Sequence, residues 1–137
     1  MARILILGVK VPFTVGGQDV LVRTLTNELK ARGHKADVIE LPFRVEPKEG
    51  LLNQSAIWRA LDLESFSGED IDLVIATKFP SYYVKHKRKS LWLVHQHRDM
   101  YDNFGTRYSS FSDDPRDEQL RSLLIQGDNE VLSLIHI

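Results

Sequence analysis

A chain of 137 residues is the size of one domain and long enough to bury a core. With 42% hydrophobic residues and a net charge of -1, it has the balance of a soluble globular protein and no basic excess that would attract nucleic acid. No apolar run approaches the ~18 residues of a membrane span. The N-terminus carries one Arg and a very short apolar run, which is not a secretory signal. Cysteine is absent, which excludes disulfide and thiolate chemistry and fits a reducing cytoplasm, with the inner face of the membrane as a further location.

Arg3-Ile4-Leu5-Ile6-Leu7-Gly8 reads as a buried first strand. A long loop ends in Gly16-Gly17-Gln18-Asp19, and a helix is predicted from Gln18 to Arg32. Val22, Leu25 and Leu29 recur at helical spacing and should face the sheet, with Gly33 as the stop. His34 to Leu41 is the second strand, and Pro42 and Pro47 mark a loop. Leu51 to Ala60 is a helix candidate with Leu52, Ile57 and Leu61 as apolar positions. Asp72 to Ala76 is a third strand and Leu91 to Val94 a fourth. A last helix is expected over Asp117 to Ile125, capped by Asp113 or Asp114, with Pro115 in its first turn. Short apolar strands alternating with helices predict a Rossmann-like, doubly wound parallel α/β sheet. Ligands of such sheets bind beyond the C-terminal ends of the strands.

Four clusters fall at or beside those ends. Paired glycines at Gly16 and Gly17 let the backbone turn tightly and approach a ligand, and the helix N-terminus behind them favours an anion. Neither G-x-G-x-x-G nor a Walker motif is present, so a dinucleotide is disfavoured. Lys78, after the third strand, can reach an anion. His95 and His97 can donate to a sugar or phosphate oxygen, and Arg98 can grip a phosphate. No third ligand beside His95 and His97 suggests a metal. The run Lys85-His86-Lys87-Arg88-Lys89 is either a solvated face or, through Lys85, Lys87, Arg88 and Lys89, a contact to an anionic membrane surface. The pocket alone suits either an enzyme or a non-catalytic α/β module that binds a phosphorylated small molecule.

Taken together these residues resemble the N-terminal domain of family 4 retaining glycosyltransferases, which have the GT-B fold of two facing Rossmann-like domains. The likeness rests on Arg3 to Leu7 leading to Gly16-Gly17-Gln18-Asp19, with Asp19 where the family has Glu. It rests also on Leu25-x-x-x-Leu29-x-x-Arg32-Gly33-His34, on Asp72 to Thr77, and on Trp92 to Arg98 with Tyr101-Asp102 beyond. The resemblance implies transfer of a sugar from a nucleotide sugar to a glycan or lipid acceptor with retention, needing no cofactor beyond the donor. It implies Gly16, Gly17 and Gln18 near the donor phosphates and His97 or His95 near the transferred sugar. The family's E-x7-E donor site belongs to a C-terminal domain that has no counterpart here, so the resemblance implies an incomplete, inactive polypeptide. Residues 1–131 are expected to form the N-terminal domain. Leu132 to Ile137 can be encoded as CTG TCT CTT ATA CAC ATC, which resembles a sequencing-library adapter, and 132–137 are expected to be a non-native tail.

Overall fold

The computed structural model describes residues 1–93, 97, 100, 101, 104, 109, 111, 112 and 114–132. In chain order the elements are β1 (Arg3–Lys10), α1 (Gly17–Ala31), β2 (Lys35–Pro42), α2 (Gly50–Ala60), β3 (Ser65–Phe66), β4 (Glu69–Asp70), β5 (Leu73–Ala76), β6 (Lys89–Leu91) and α3 (Pro115–Leu132). A 3-10 turn covers Ser81–Tyr83. The main sheet has the order β2-β1-β5-β6 and every pairing in it is parallel. It is an α/β sheet with helices on both faces.

The alternation of β1 builds the two layers. Ile4 and Ile6 pack with Val22 and Ala36 under α1, joined by Leu25 and Leu29. Leu5, Leu7 and Val9 face the other way, into a core shared with Leu51, Trp58, Phe79, Tyr82, Leu120 and Leu124. Successive strand residues point to opposite faces, so a strand buried on both sides must be apolar throughout, as β1 is. Helix α1 ends as its sequence requires. Gly33 adopts φ +89, the Gly33 N–H bonds the Lys30 carbonyl at 3.0 Å, and the His34 N–H bonds the Leu29 carbonyl at 3.1 Å.

Three elements differ from the sequence reading. Helix α2 buries Leu51, Ser55 and Trp58, and leaves Leu52 and Ile57 exposed. Trp58 offers far more apolar area than Leu52, so it sets which stripe faces inward. The fourth strand covers Lys89–Leu91 rather than Leu91 to Val94. Lys89 can open a strand because its ammonium donates to the Tyr82 and Val84 carbonyls at 2.9 and 2.8 Å. Beyond it, Trp92 is half-exposed, although its N–H still bonds the Ala76 carbonyl at 2.8 Å. Val94 lies outside the described residues. Helix α3 runs well past Ile125, through Gly127 to Leu132. Asp114 caps it by accepting the Arg116 N–H at 2.8 Å, and Pro115 opens it; Asp113 is outside the described residues. A small antiparallel hairpin, β3–β4, is additional, and its turn places Ser67 and Gly68 at φ +53 and +78. The Ser-Gly dipeptide was the local signal for it.

Candidate functional site

In the order β2-β1-β5-β6 the chain leaves β1 to one side and returns to its other side at β5. The crossover directions reverse between β1 and β5, and loops leaving their C-terminal ends part there to form a crevice. A cleft of about 380 Å³ lies at this place, lined by Val9, Val11, Thr14, Gly16, Gly17, Gln18, Asp19 and Lys78. Four residues singled out from sequence, Gly16, Gly17, Gln18 and Lys78, therefore share one wall system. A cavity of about 620 Å³ between α2 and α3 is lined by Leu52, Arg59, Tyr83, Leu123 and Gly127 among others, and no strand residue lines it. The smaller cleft is the better candidate because backbone N–H groups and charged side chains converge on it.

The β1–α1 loop is built by local bonds. Thr14 donates through its N–H and its hydroxyl to the Val11 carbonyl, at 3.3 and 2.8 Å, and Lys10 Nζ donates to the Thr14 carbonyl. Gly16 then caps α1 in an extended conformation, φ -134 and ψ -176. Neither Gly16 nor Gly17 has a positive φ, and a Cβ on either would meet nothing within 4 Å. The expectation that the glycines permit a tight turn is thus corrected. The residue in the left-handed region is Phe13, at φ +67, and the glycines leave the cleft wall open to approach.

Asp19, three residues into the cap, sends Oδ2 back to the Gly16 N–H at 2.7 Å, and its Oδ1 lies 3.4 Å from Lys10 Nζ. The Gly16 N–H bond, with Lys10 and Lys78 nearby, holds the Asp19 carboxyl below the usual carboxylate range. Among the described residues the cleft therefore sets a charged carboxylate beside the Lys10 and Lys78 ammonium groups. The Gly17 and Gln18 N–H groups make no hydrogen bond among the described residues, as the first donors of a helix do not. The buried Gln18 Nε2 likewise has no partner among them.

Lys78 is placed by the turn after β5. Ser81 Oγ accepts the Thr77 and Lys78 N–H groups at 3.3 and 3.2 Å and donates to the Lys78 carbonyl. Thr77 Oγ1 donates to the Leu7 carbonyl at 2.7 Å, which ties the turn to β1. Lys78 Nζ stands 5.8 Å over the Phe43 ring, at the end of β2. His97 packs on the same ring from another side, edge-on at 5.9 Å, and stacks on Phe79 at 5.2 Å. His97 thus lies beside the cleft, joined to it through Phe43, and does not line it. His95 and Arg98 lie outside the described residues. Phe43 and Lys10 were missed from sequence. Lys10 ends an apolar strand, which was its only signal; Phe43 had none that distinguished it from core.

The basic run is elsewhere. All strands run the same way, and Lys85 to Arg88 precede β6, so they occupy the N-terminal edge of the sheet, opposite the cleft. At about 3.3 Å per residue, the length of β1 sets these edges about 25 Å apart. Lys85, Lys87 and Arg88 are exposed. Lys89 is turned inward to the two carbonyls, and burial pushes its pKa down. His86 Nε2 lies 3.6 Å from Glu64 Oε2. No helix among the described residues is long and apolar enough to cross a membrane, and no three His, Cys, Asp or Glu side chains among them gather as a metal site.

Compared with protein-family models, with curated proteins and with solved structures, the chain gives no match.

Proposed function

We propose that this chain is the N-terminal, Rossmann-like part of a GT-B, family 4 retaining glycosyltransferase, and that its switch-point cleft takes the diphosphate of a nucleotide sugar. The observation that carries the reading is the meeting of the Gly16-Gly17 helix terminus with Lys78 across β1 and β5. Two helix-terminal backbone donors with no bond among the described residues, an open wall and the ammonium groups of Lys10 and Lys78 are suited to a phosphate. In a transfer that expels a nucleoside diphosphate, such groups act by stabilising the charge that develops on the leaving group. His97 or His95 would position the sugar, and Arg98 would add a bidentate contact to phosphate. Lys10 stands 3.4 Å from Asp19 and offsets the carboxylate that caps α1.

The test is titration of the chain with inorganic pyrophosphate and with uridine, guanosine and adenosine diphosphates, followed by amide NMR. Shifts should concentrate at Gly16 to Asp19 and Lys78, and both Gly17→Val and Lys78→Ala should weaken them. Shifts elsewhere, or affinities unchanged by both substitutions, would sink the assignment. Binding that persists without sugar release from any nucleotide sugar, once the chain is joined to a donor domain, would instead identify a non-catalytic module.

A further inference from the structure

Phe43 follows β2 directly, and its N–H donates to the Lys10 carbonyl at 2.8 Å, one step beyond the Lys10–Pro42 register. That bond ties the end of β2 to the end of β1. Phe43 is only 5% exposed, and its ring meets groups from the two remaining strand-end loops. Lys78 Nζ stands 5.8 Å over the ring, Phe79 meets it edge-on at 6.3 Å, and His97 meets it edge-on at 5.9 Å. Phe79 in turn stacks on His97 at 5.2 Å. Lys78 and Phe79 follow β5, and His97 lies beyond β6. One residue therefore joins the loops that leave all four strands of the sheet.

Burial alone would be served by any apolar side chain of similar size. An aromatic ring adds an electron-rich face, which attracts a cation within about 6 Å. The pose that sets the Lys78 ammonium over this face also lines the cleft, together with Gly16, Gly17 and Gln18. The contact therefore need not break when an anion enters. The Ser81 hydroxyl already fixes the Lys78 backbone, by accepting its N–H and donating to its carbonyl. The far end of the side chain is a compact charge with three N–H donors on a flexible four-carbon stem. The Phe43 ring restrains that end and covers one side of the ammonium, which leaves N–H donors for an oxygen in the cleft.

We infer that Phe43 is a positioning residue of the cleft: its ring face holds the Lys78 ammonium where it lines the site, so anion affinity depends on that face and not on apolar volume at position 43. The inference rests on the reading of the cleft as a phosphate site.

The test is calorimetric titration of the whole chain with inorganic pyrophosphate. Phe43→pentafluorophenylalanine keeps the shape and apolar area of the ring but reverses the charge of its face. That chain should unfold near the wild-type urea midpoint and bind roughly three- to tenfold more weakly, as the cleft-lining pose of Lys78 becomes less populated. Phe43→Leu removes the face and should weaken binding by a similar factor. Phe43→Tyr restores an electron-rich face and should recover most of the wild-type affinity. Lys78→Met should itself weaken binding, and in that background the fluorinated ring should make no further difference. Equal affinity of the wild-type and fluorinated chains, with Lys78→Met weaker than both, overturns the inference and leaves the phosphate reading standing. A loss on fluorination that is undiminished in the Lys78→Met background also overturns it, because the ring would then act by packing alone. Affinity unmoved by Lys78→Met overturns the inference and the phosphate reading together.

Discussion

Gly127 lies inside α3, where replacing Gly by Ala ordinarily stabilises a helix by about 1 kcal/mol. Here the sign should reverse. A Cβ at Gly127 would stand 2.8 Å from the Tyr83 hydroxyl oxygen. That hydroxyl cannot step aside freely: it donates to Asp128 Oδ1 at 2.7 Å, and its ring stacks on Tyr82 at 5.4 Å and meets Phe79 edge-on at 6.0 Å. Asp128 is wholly buried and also accepts the Tyr101 hydroxyl at 3.0 Å. Burial raises the pKa of Asp128, and losing a donor would worsen its position. Loss of a hydrogen bond to such a group costs about 1.5–3 kcal/mol, and overpacking about 1–3 more. Set against the helix gain, Gly127→Ala should destabilise by about 1.5–5 kcal/mol, read from urea unfolding followed by Trp58 fluorescence. In a Tyr83→Phe background the nearest atoms would be ring carbons at 3.6 Å, an ordinary contact, and the same substitution should stabilise by about 0.5–1 kcal/mol. A stabilising Gly127→Ala in the wild-type chain, or equal effects in both backgrounds, would refute the account. The consequence reaches the cleft, because Phe79 and Tyr83 belong to the segment that carries Lys78.

Gly17→Ala should change thermal stability by less than about 1 kcal/mol, since its Cβ meets nothing; a large loss in scanning calorimetry would mean that the glycine is structural. Thr77→Val should cost about 1–3 kcal/mol in urea, because the hydroxyl that satisfies the Leu7 carbonyl is buried; a neutral result would mean that the β1–β5 tie is replaceable. Asp117 is held at about 2, below its ordinary 3.8, chiefly by Lys48 at 2.6 Å and by the Ser112 N–H and hydroxyl. A depressed carboxyl contributes stability that is full above its unfolded pKa and is lost as pH falls toward the folded one. Asp117→Asn should therefore flatten the part of the acid limb between 3.8 and about 2, and an unchanged limb in urea midpoints against pH would contradict the pairing.

Helix α1 and strands β1, β2 and β5 were legible because their signals are local. An apolar run that must be buried on both faces, an apolar residue every three or four positions, and a glycine at the helix stop each state their structure without distant help. Where the deciding contact follows no repeating pattern, the sequence misled. The Tyr82 and Val84 carbonyls that let Lys89 open β6 are only seven and five residues away, but their approach depends on how the intervening turn folds, and nothing in α2 announces that Trp58 outranks Leu52 for the core. The turn glycines were read as conformational needs, yet the strained position is Phe13, because turn type depends on where the loop closes its hydrogen bond.

By itself the sequence determined a parallel α/β sheet whose loops of interest leave the same ends of the strands, since burial and helical period follow from the order of apolar and polar residues. It could not determine which loops become neighbours. That depends on β5 pairing with the side of β1 not taken by β2, a contact across some seventy residues set by the Ile4–Leu7 register with Leu73–Ala76. Only that pairing brings Lys78 to Gly16 and Gly17, and only the common direction of the strands sends the basic run to the far edge.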